Sequence, residues 1–167
     1  MVGAFLPGLA ALAARQLASQ IPQIQDGPYA EGDIDLLLEI IAFYMHLANR
    51  IGFRELGAER CARFSHRLVV AVGIDVATSL NKGLSSVQVV AELRDKYNER
   101  EEYYARYKQF LPEADQPTKN TLFHEFTKVI FNRFVRSNDT FDLLLVEGLL
   151  SPEIAFFLKE TNDVMKR

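Results

Sequence analysis

The stretch that most constrains the fold is the segment 33–52, DIDLLLEIIAFYMHLANRIG. Apolar residues recur there at the three-and-four spacing of a helix face, and further apolar residues widen that face well beyond one stripe. These residues are Ile34, Leu37, Leu38, Ile40, Ile41, Tyr44, Met45, Leu47, Ala48 and Ile51. Asp33 offers a side-chain oxygen for an N-cap, and Gly52 suits a left-handed residue at the C-terminal end. We therefore predict a helix that lies in the centre of the fold.

The bulk composition indicates one ordinary globular domain. The chain has 167 residues, of which 49% are hydrophobic and 25% charged, enough for one well-filled core. Its single cysteine, Cys61, excludes an internal disulfide and a cysteine-based zinc site, and the cytoplasm is the expected location. The apolar segment 2–14 has no basic residues before it and is interrupted by Pro7 and Gly8. No other run approaches the roughly 20 apolar residues of a membrane span, so we expect no membrane association.

The same periodicity predicts helices on both sides of the central one. They cover about 5–20, 56–80, 86–111 and 122–136, and two shorter helices begin after Asp139 and at Ser151. Residues 21–32, rich in proline and glycine, form an irregular connector. No sustained alternation requires a strand. The prediction is an all-α, single-domain bundle (1–167) of six to seven helices, in which an antiparallel hairpin (86–136) packs on a central pair (33–52 and 56–80).

A polar stripe runs along the central helix. Asp35, Glu39, His46 and Arg50 fall within about 60° of one another on the helical wheel. We interpret them as the solvated side of the helix, the ordinary arrangement opposite an apolar face. An inward metal or acid-base site is the alternative, but Glu39 and His46 lie about 10 Å apart along the axis and cannot share one ion.

No recognised motif joins the histidines into a metal or haem site. His46, His66 and His124 lie on three predicted helices, so a shared site is topologically allowed. However, the chain has neither a His-Glu-x-x-His motif nor a Cys-x-x-Cys-His motif. We therefore expect no metal and no cofactor.

Two charged residues fall where apolar ones are expected. Asp75 lies in the apolar arc of its helix, and either it is buried with a partner or, as we favour, it meets water near the helix end. Arg100 interrupts a heptad-like series of tyrosines and aliphatic residues. It could stack on those tyrosines, pair with Glu101 or Glu125, or form a binding groove together with the tyrosines.

Motifs of the common catalytic sites are missing. The sequence has no Gly-x-Ser-x-Gly, no phosphate-binding Gly-x-x-x-x-Gly-Lys and no Gly-x-Gly-x-x-Gly. Cys61 lies on an apolar helix face and is expected to be an inert buried thiol. We assign no catalytic residue, and an enzyme acting through Glu39, His46 or Asp75 ranks below the two non-enzymatic functions that follow.

The leading functional prediction is a protein–protein interaction or adaptor module that self-associates. It depends on the missing catalytic motifs and on apolar surface left over after the core is filled. The N-terminal helix carries almost no charge on its outer side, and the Arg100 face is rich in tyrosine, a residue enriched at binding hot spots. The predicted interface residues are Phe5, Leu9 and Leu12 on the first of these surfaces and Tyr97, Arg100, Tyr104 and Tyr107 on the second.

Two further kinds of partner remain as alternatives. An apolar pocket between the central helices and the phenylalanine-rich fifth helix would bind a small regulatory ligand. Its predicted lining residues are His46, Asp75, Phe126 and Phe131. Five arginines between 50 and 67 could bind nucleic acid, but the net charge of -3 disfavours this partner.

Overall fold

The computed structural model describes residues 2–21, 24, 34–80, 85–108, 110 and 121–166. It forms six α-helices, and the last turn of the fifth widens into a five-residue π-helix, Phe131–Val135. The helices are α1 (Val2–Gln20), α2 (Ile34–Leu56), α3 (Ala58–Leu80), α4 (Ser86–Tyr104), α5 (Leu122–Ile130) and α6 (Thr140–Met165). The described residues contain no strand, and the predicted all-α helical bundle is confirmed.

Helix α2 lies at the centre, as predicted. All of its residues from Leu36 to Ala48 are buried, and it packs against α1, α3, α4 and α6. The helix continues one turn past the predicted end at Gly52, which is helical and buried. The left-handed glycine that ends the helix is Gly57, with φ of +76°. The predicted N-cap Asp33 and most of the predicted connector lie outside the described residues.

The predicted hairpin contributes both of its helices to the bundle. Helix α4 packs on both central helices, α2 and α3, while α5 packs on α6 and α2. The two helices meet where the Tyr103 hydroxyl donates to Glu125 and where Phe110 lies 6.3 Å from Phe123, ring centroid to centroid. Helix α4 ends at Tyr104 rather than near 111, and the predicted connecting loop lies outside the described residues.

The two predicted C-terminal helices are a single 26-residue helix, α6, which passes through Pro152. The Ser-Pro-Glu start signal is wrong here, although Asp139 does cap the helix by accepting a bond from the Phe141 amide. The buried positions keep helical spacing across the proline, so burial of one continuous face outweighs the lost backbone hydrogen bond. Those positions are Val146, Leu150, Ile154, Phe157 and Thr161.

Two helices are long and apolar enough to cross a membrane by length and composition, namely α1 and α2. This corrects the expectation that no run approaches that limit. In α2, 78% of the apolar window is buried inside the bundle, as in the core helix of a soluble protein, whereas in α1 the buried share is 33%. Helix α1 is therefore less deeply buried than α2, although Leu12 is its one large apolar side chain in the exposed class.

Helices α3 and α4 approach each other most closely at Gly73. A Cβ atom added there would lie 2.5 Å from Val90 Cγ2 and 3.0 Å from its Cα. Because backbone lies behind the side chain of Val90, the neighbour cannot simply rotate away. Gly73 thus sets the spacing between α3 and α4.

We expect Gly73→Ala to lower the free energy of unfolding by about 1 to 3 kcal/mol, because the new methyl group forces the helices apart. Urea-induced unfolding followed by circular dichroism measures the change. Gly8→Ala is the matched control, since a Cβ at this exposed helical position meets nothing within 4 Å. It should stabilise α1 by roughly 0.5 to 1 kcal/mol, and equal stability of the two variants would contradict the close approach.

Candidate functional site

The polar stripe of α2 faces inward, not towards solvent. The exposed fraction is 0% for Glu39 and 1% for His46, so the interpretation of this stripe as a solvated face is wrong. A helical wheel of one helix cannot show that a neighbour supplies opposite charges. Helix α4 and the π-helical turn after α5 cover the stripe with three cations.

These five side chains form the ionic cluster: Asp35, Glu39, Lys96, Arg100 and Arg133. Lys96 Nζ lies 2.8 Å from Asp35 Oδ1 and 3.4 Å from Glu39 Oε2. Arg133 reaches the same two carboxylates at 2.6 and 3.1 Å. Arg100 donates from both Nε and Nη2 to Glu39, a bidentate pair. Glu39 therefore accepts from all three cations.

The surroundings of Asp35 and Arg100 favour the charged forms of these two side chains. Partial burial disfavours ionisation of Asp35, but Lys96 and Arg133 outweigh it and hold the pKa of this carboxyl below its usual value. Burial likewise opposes the charge of Arg100, yet its bonds to Glu39 raise the pKa of the guanidinium. A buried carboxylate with this many donors acts as a structural centre, not as a free base.

Lys96 and Arg133 were not among the predicted site residues, and the carboxylate partners predicted for Arg100, Glu101 and Glu125, are wrong. The partners of Arg100 are Glu39 and the exposed Glu99. A usable signal was present, since two carboxylates one turn apart (35 and 39) match two cations one turn apart (96 and 100) on another predicted helix. No comparable spacing in the sequence predicted a role for Arg133, which the π-helical turn places in the cluster.

A second group of polar side chains, the three-helix network, joins α2, α3 and α4. Its members are His46, Asn49, Cys61, Ser65 and Glu101. Glu101 lies 2.6 Å from His46 Nδ1 and accepts a bond of 2.9 Å from Asn49 Nδ2. The Cys61 thiol and the Ser65 hydroxyl donate to Asn49 Oδ1 at 2.9 and 2.6 Å. Every bond within the network links two different helices.

In this network the imidazole of His46 is held in place by a hydrogen bond and is shielded from solvent. An ionised Glu101 can only accept, so His46 donates from Nδ1, and its Nε2 has no hydrogen-bond partner among the described residues. Burial disfavours the charge of Glu101, but His46 and Asn49 outweigh it and lower the pKa of the carboxyl. Burial raises the pKa of the Cys61 thiol, which keeps it protonated. The imidazole is 1% exposed and does not meet a substrate in solution.

The four residues of the predicted ligand pocket lie in different surroundings. Phe126 is fully buried and stacked on Phe43, with ring centroids 3.8 Å apart, whereas Phe131 is half-buried. His46 belongs to the three-helix network, and Asp75 is exposed on α3, which is the alternative that we favoured for it. A solid aromatic stack therefore occupies the position expected for an apolar pocket at Phe126.

The histidines do not converge on a metal site in the described part of the chain. His66 is exposed, and His124 Nδ1 lies 2.9 Å from Glu147. Within those residues no three His, Cys, Asp or Glu side chains are placed to hold one ion. The geometry therefore offers no support for a shared histidine site.

Most of the predicted interface residues are covered by the protein itself. Tyr97 and Tyr104 are buried, and Arg100 is engaged in the ionic cluster. On α1, Phe5 lies against Phe157 and Leu12 remains 45% exposed. Tyr107 and Leu9 are half-buried. The tyrosine-rich face thus fills the core, and α1 presents one large apolar side chain.

Three large apolar residues that are exposed to solvent lie close to one another in sequence, on α6. Phe141, Leu144 and Phe156 are 67%, 59% and 49% exposed. Together with the other exposed residues between them they form the α6 face: Phe141, Leu144, Gly148, Ser151, Pro152, Ala155 and Phe156. None of these seven residues is charged. This face was not predicted, because the Ser-Pro-Glu signal at Ser151 indicated two separate helices.

Comparison of the chain with protein-family models, curated proteins and solved structures found no match. We therefore infer function from the geometry of the buried polar groups and of the exposed surfaces.

We expect Glu39→Gln to lower the free energy of unfolding by about 3 to 5 kcal/mol, because it leaves three clustered cations with one carboxylate. Urea unfolding measures this loss. Glu99→Gln removes another acid that also contacts Arg100, but the Glu99 side chain is 66% exposed. This control should change stability by less than about 1 kcal/mol, and equal losses in the two variants would show that burial of Glu39 has no special effect.

Acid should destabilise the protein through Glu101. A carboxyl whose pKa is lower in the folded state contributes stability above its unfolded pKa of about 4.3, and that contribution disappears as the pH falls through the folded pKa. We expect the unfolding free energy of Glu101→Gln to decline less than that of the wild type between about pH 6 and pH 3. Glu102→Gln, at the exposed neighbouring position, should keep the wild-type slope.

Proposed function

We propose that this protein is a self-associating interaction module that forms a homodimer through the α6 face. The observation that carries the proposal is the uncharged exposed row from Phe141 to Phe156 on a 26-residue surface helix. The exposed side of a surface helix ordinarily carries charged residues, and exposed apolar patches mark interaction sites.

The spacing of the α6 face supports a second copy as its partner. In an antiparallel two-fold pair that crosses at Gly148, each residue meets the one equally far on the other side of the crossing. Phe141 then faces Ala155, and Leu144 faces Pro152. A large side chain opposes a small or flat one at both positions, which lets the two surfaces interdigitate.

Gly148 is suited to the crossing point. A Cβ at this position meets nothing within 4 Å, so the glycine opens onto free space on the outside of α6. With no side chain there, two helix axes can approach closely, and the flanking phenylalanines and leucine close around the contact. Glycine destabilises a lone helix, but between two paired helices it allows their axes to approach closely.

Charges at the ends of the face complement one another in this arrangement. Lys159 is the first exposed charged residue after the face, and Asp139 is the exposed N-cap before it. Across the two-fold crossing, Lys159 of one protomer comes within two residues of the position opposite Asp139 of its partner. Such rim pairs fix orientation more than they add affinity.

The buried polar groups favour a non-enzymatic function. The ionic cluster and the three-helix network are engaged in bonds between helices, and His46 and Cys61 are both buried. A free, buried Cys61 also suits the reducing cytoplasm that we propose as the location.

We expect the purified protein to have twice its 19.0 kDa mass in analytical ultracentrifugation. Phe141→Asp combined with Leu144→Asp should raise the dimer dissociation constant on the order of 100-fold or more, because each substitution acts twice in a symmetric interface. Phe53→Asp changes another residue that is 61% exposed and should leave the dimer intact. A monomeric wild type, or dissociation by Leu12→Asp instead, would contradict the α6 interface.

The crossing point has its own test. Gly148→Cys should form a disulfide-linked dimer under mild oxidation, because a two-fold axis at this residue brings the two Cα atoms within the range of about 4.4 to 6.8 Å. Ala91→Cys, at an exposed position of α4, is the control and should not cross-link. Cross-linking of both variants at equal rates would indicate random collision.

A further inference from the structure

A groove of about 770 Å³ runs between the beginning of α1 and the outer side of α3. We call it the arginine groove. Its walls include three cations and three apolar side chains: Arg60, Arg63, Arg67, Val2, Phe64 and Leu68. This groove belongs neither to the α6 face nor to the two buried polar groups, and any ligand that it holds is independent of the dimer proposed above.

The positive charges of the three groove arginines are only weakly compensated by carboxylates of the described residues. Among the described residues Arg63 pairs with Glu59 alone, 3.3 Å away, and both side chains are more than 60% exposed, so water weakens the pair. Arg60 and Arg67 make no ion pair or hydrogen bond within the described part of the chain. By contrast, Arg100 and Arg133 are committed to Glu39. Three cations gathered on one wall of a protein with net charge -3 leave a local positive potential.

Their spacing lets them act on one ligand. Residues 60, 63 and 67 share a helix face and span about 10 Å along the axis, a distance that flexible arginine side chains can close. Each guanidinium offers paired N–H donors that match two oxygens of one phosphate. Val2, Gly3 and Ala4 of the first turn of α1 line the same groove. The N-terminal turn of a helix carries a partial positive charge, which favours an anion near these residues.

The apolar wall defines the rest of the ligand. Val2 and Leu68 are 2% and 4% exposed, and Phe64 is half-buried beside them. These residues line a space large enough for a small organic group, and the half-buried Phe64 is the most accessible of the three. A bare inorganic ion would use the arginines and leave this wall in water.

We propose that the arginine groove binds an organic phosphate, a phosphate monoester whose apolar group lies on Phe64 and Leu68. A long polyanion suits the groove less well, because α1 walls one side and the carboxylate of Asp75 lies farther along α3 in the same groove. The phosphate is anchored by Arg60, Arg63 and Arg67.

Hexyl phosphate, titrated into the ¹⁵N-labelled protein, tests the proposal by NMR. We expect saturable shifts of the Phe64 and Leu68 amides, and binding about tenfold tighter than that of inorganic phosphate, because burial of even two methylene groups adds that factor. Arg60→Gln combined with Arg67→Gln should weaken binding tenfold or more. Equal affinity for hexyl phosphate and inorganic phosphate, or shifts located elsewhere, would overturn the proposal.

The matched control is Arg106→Gln combined with Lys108→Gln, which removes the same charge from exposed positions of the chain that follows α4. Its affinity should stay within twofold of the wild type, and equal weakening in both double variants would reduce the effect to net charge and overturn the site. A single-stranded oligonucleotide that displaces hexyl phosphate at lower phosphate concentration would identify a polyanion site and likewise overturn the proposal.

Two sources of a phosphate monoester are separated by vesicles that contain phosphatidic acid. Co-sedimentation that is lost in the Arg60→Gln, Arg67→Gln variant would support the site and assign the phosphate to a lipid headgroup. Binding of hexyl phosphate without co-sedimentation would support the site and assign it to a free small molecule.

Discussion

The buried carboxylate of Glu39 is the constraint on which the rest of the bundle depends. An ionised carboxylate at 0% exposure is tolerated only with opposite charges and hydrogen bonds around it, and here they come from Lys96, Arg100 and Arg133. The first two lie on α4 and the third on the turn after α5. Because one acid requires donors from two elements distant in sequence, the cluster fixes both the register of α4 on α2 and the position of that turn.

The π-helical turn Phe131–Val135 is part of the same constraint. An α-helix leaves a residue such as Arg133 on a face set by its own periodicity, whereas the wider turn shifts that face and ends at Arg136 with φ of 54°. Phe134 stays buried beside it. The π-helical turn thus has two structural consequences. It keeps Phe134 in the aromatic core, and it places the guanidinium of Arg133 beside Glu39.

Helix α2 organises the other interactions through different sides of its surface. Phe43 stacks on Phe126 of α5, and Tyr44 stacks on Phe157 of α6 with ring centroids 4.6 Å apart. One turn further, His46 and Asn49 enter the three-helix network with α3 and α4. The apolar breadth of this helix was readable from its sequence, and with it the central position and the all-α class. Its inward polar residues were not, because their burial depends on charges supplied by helices far along the chain.

The same reasoning explains which surfaces remain for function. Arg100 in a tyrosine series looks like a binding hot spot when it is considered alone, but Glu39 and the core take up both the cation and the tyrosines. Phe141 and Leu144 look like ordinary core residues of a short amphipathic helix, yet the continuous helix through Pro152 turns them outward. The polar side chains inside the bundle are therefore engaged in bonds that hold its helices together. The α6 face and the arginine groove, by contrast, keep apolar area and charge that these helix contacts do not use.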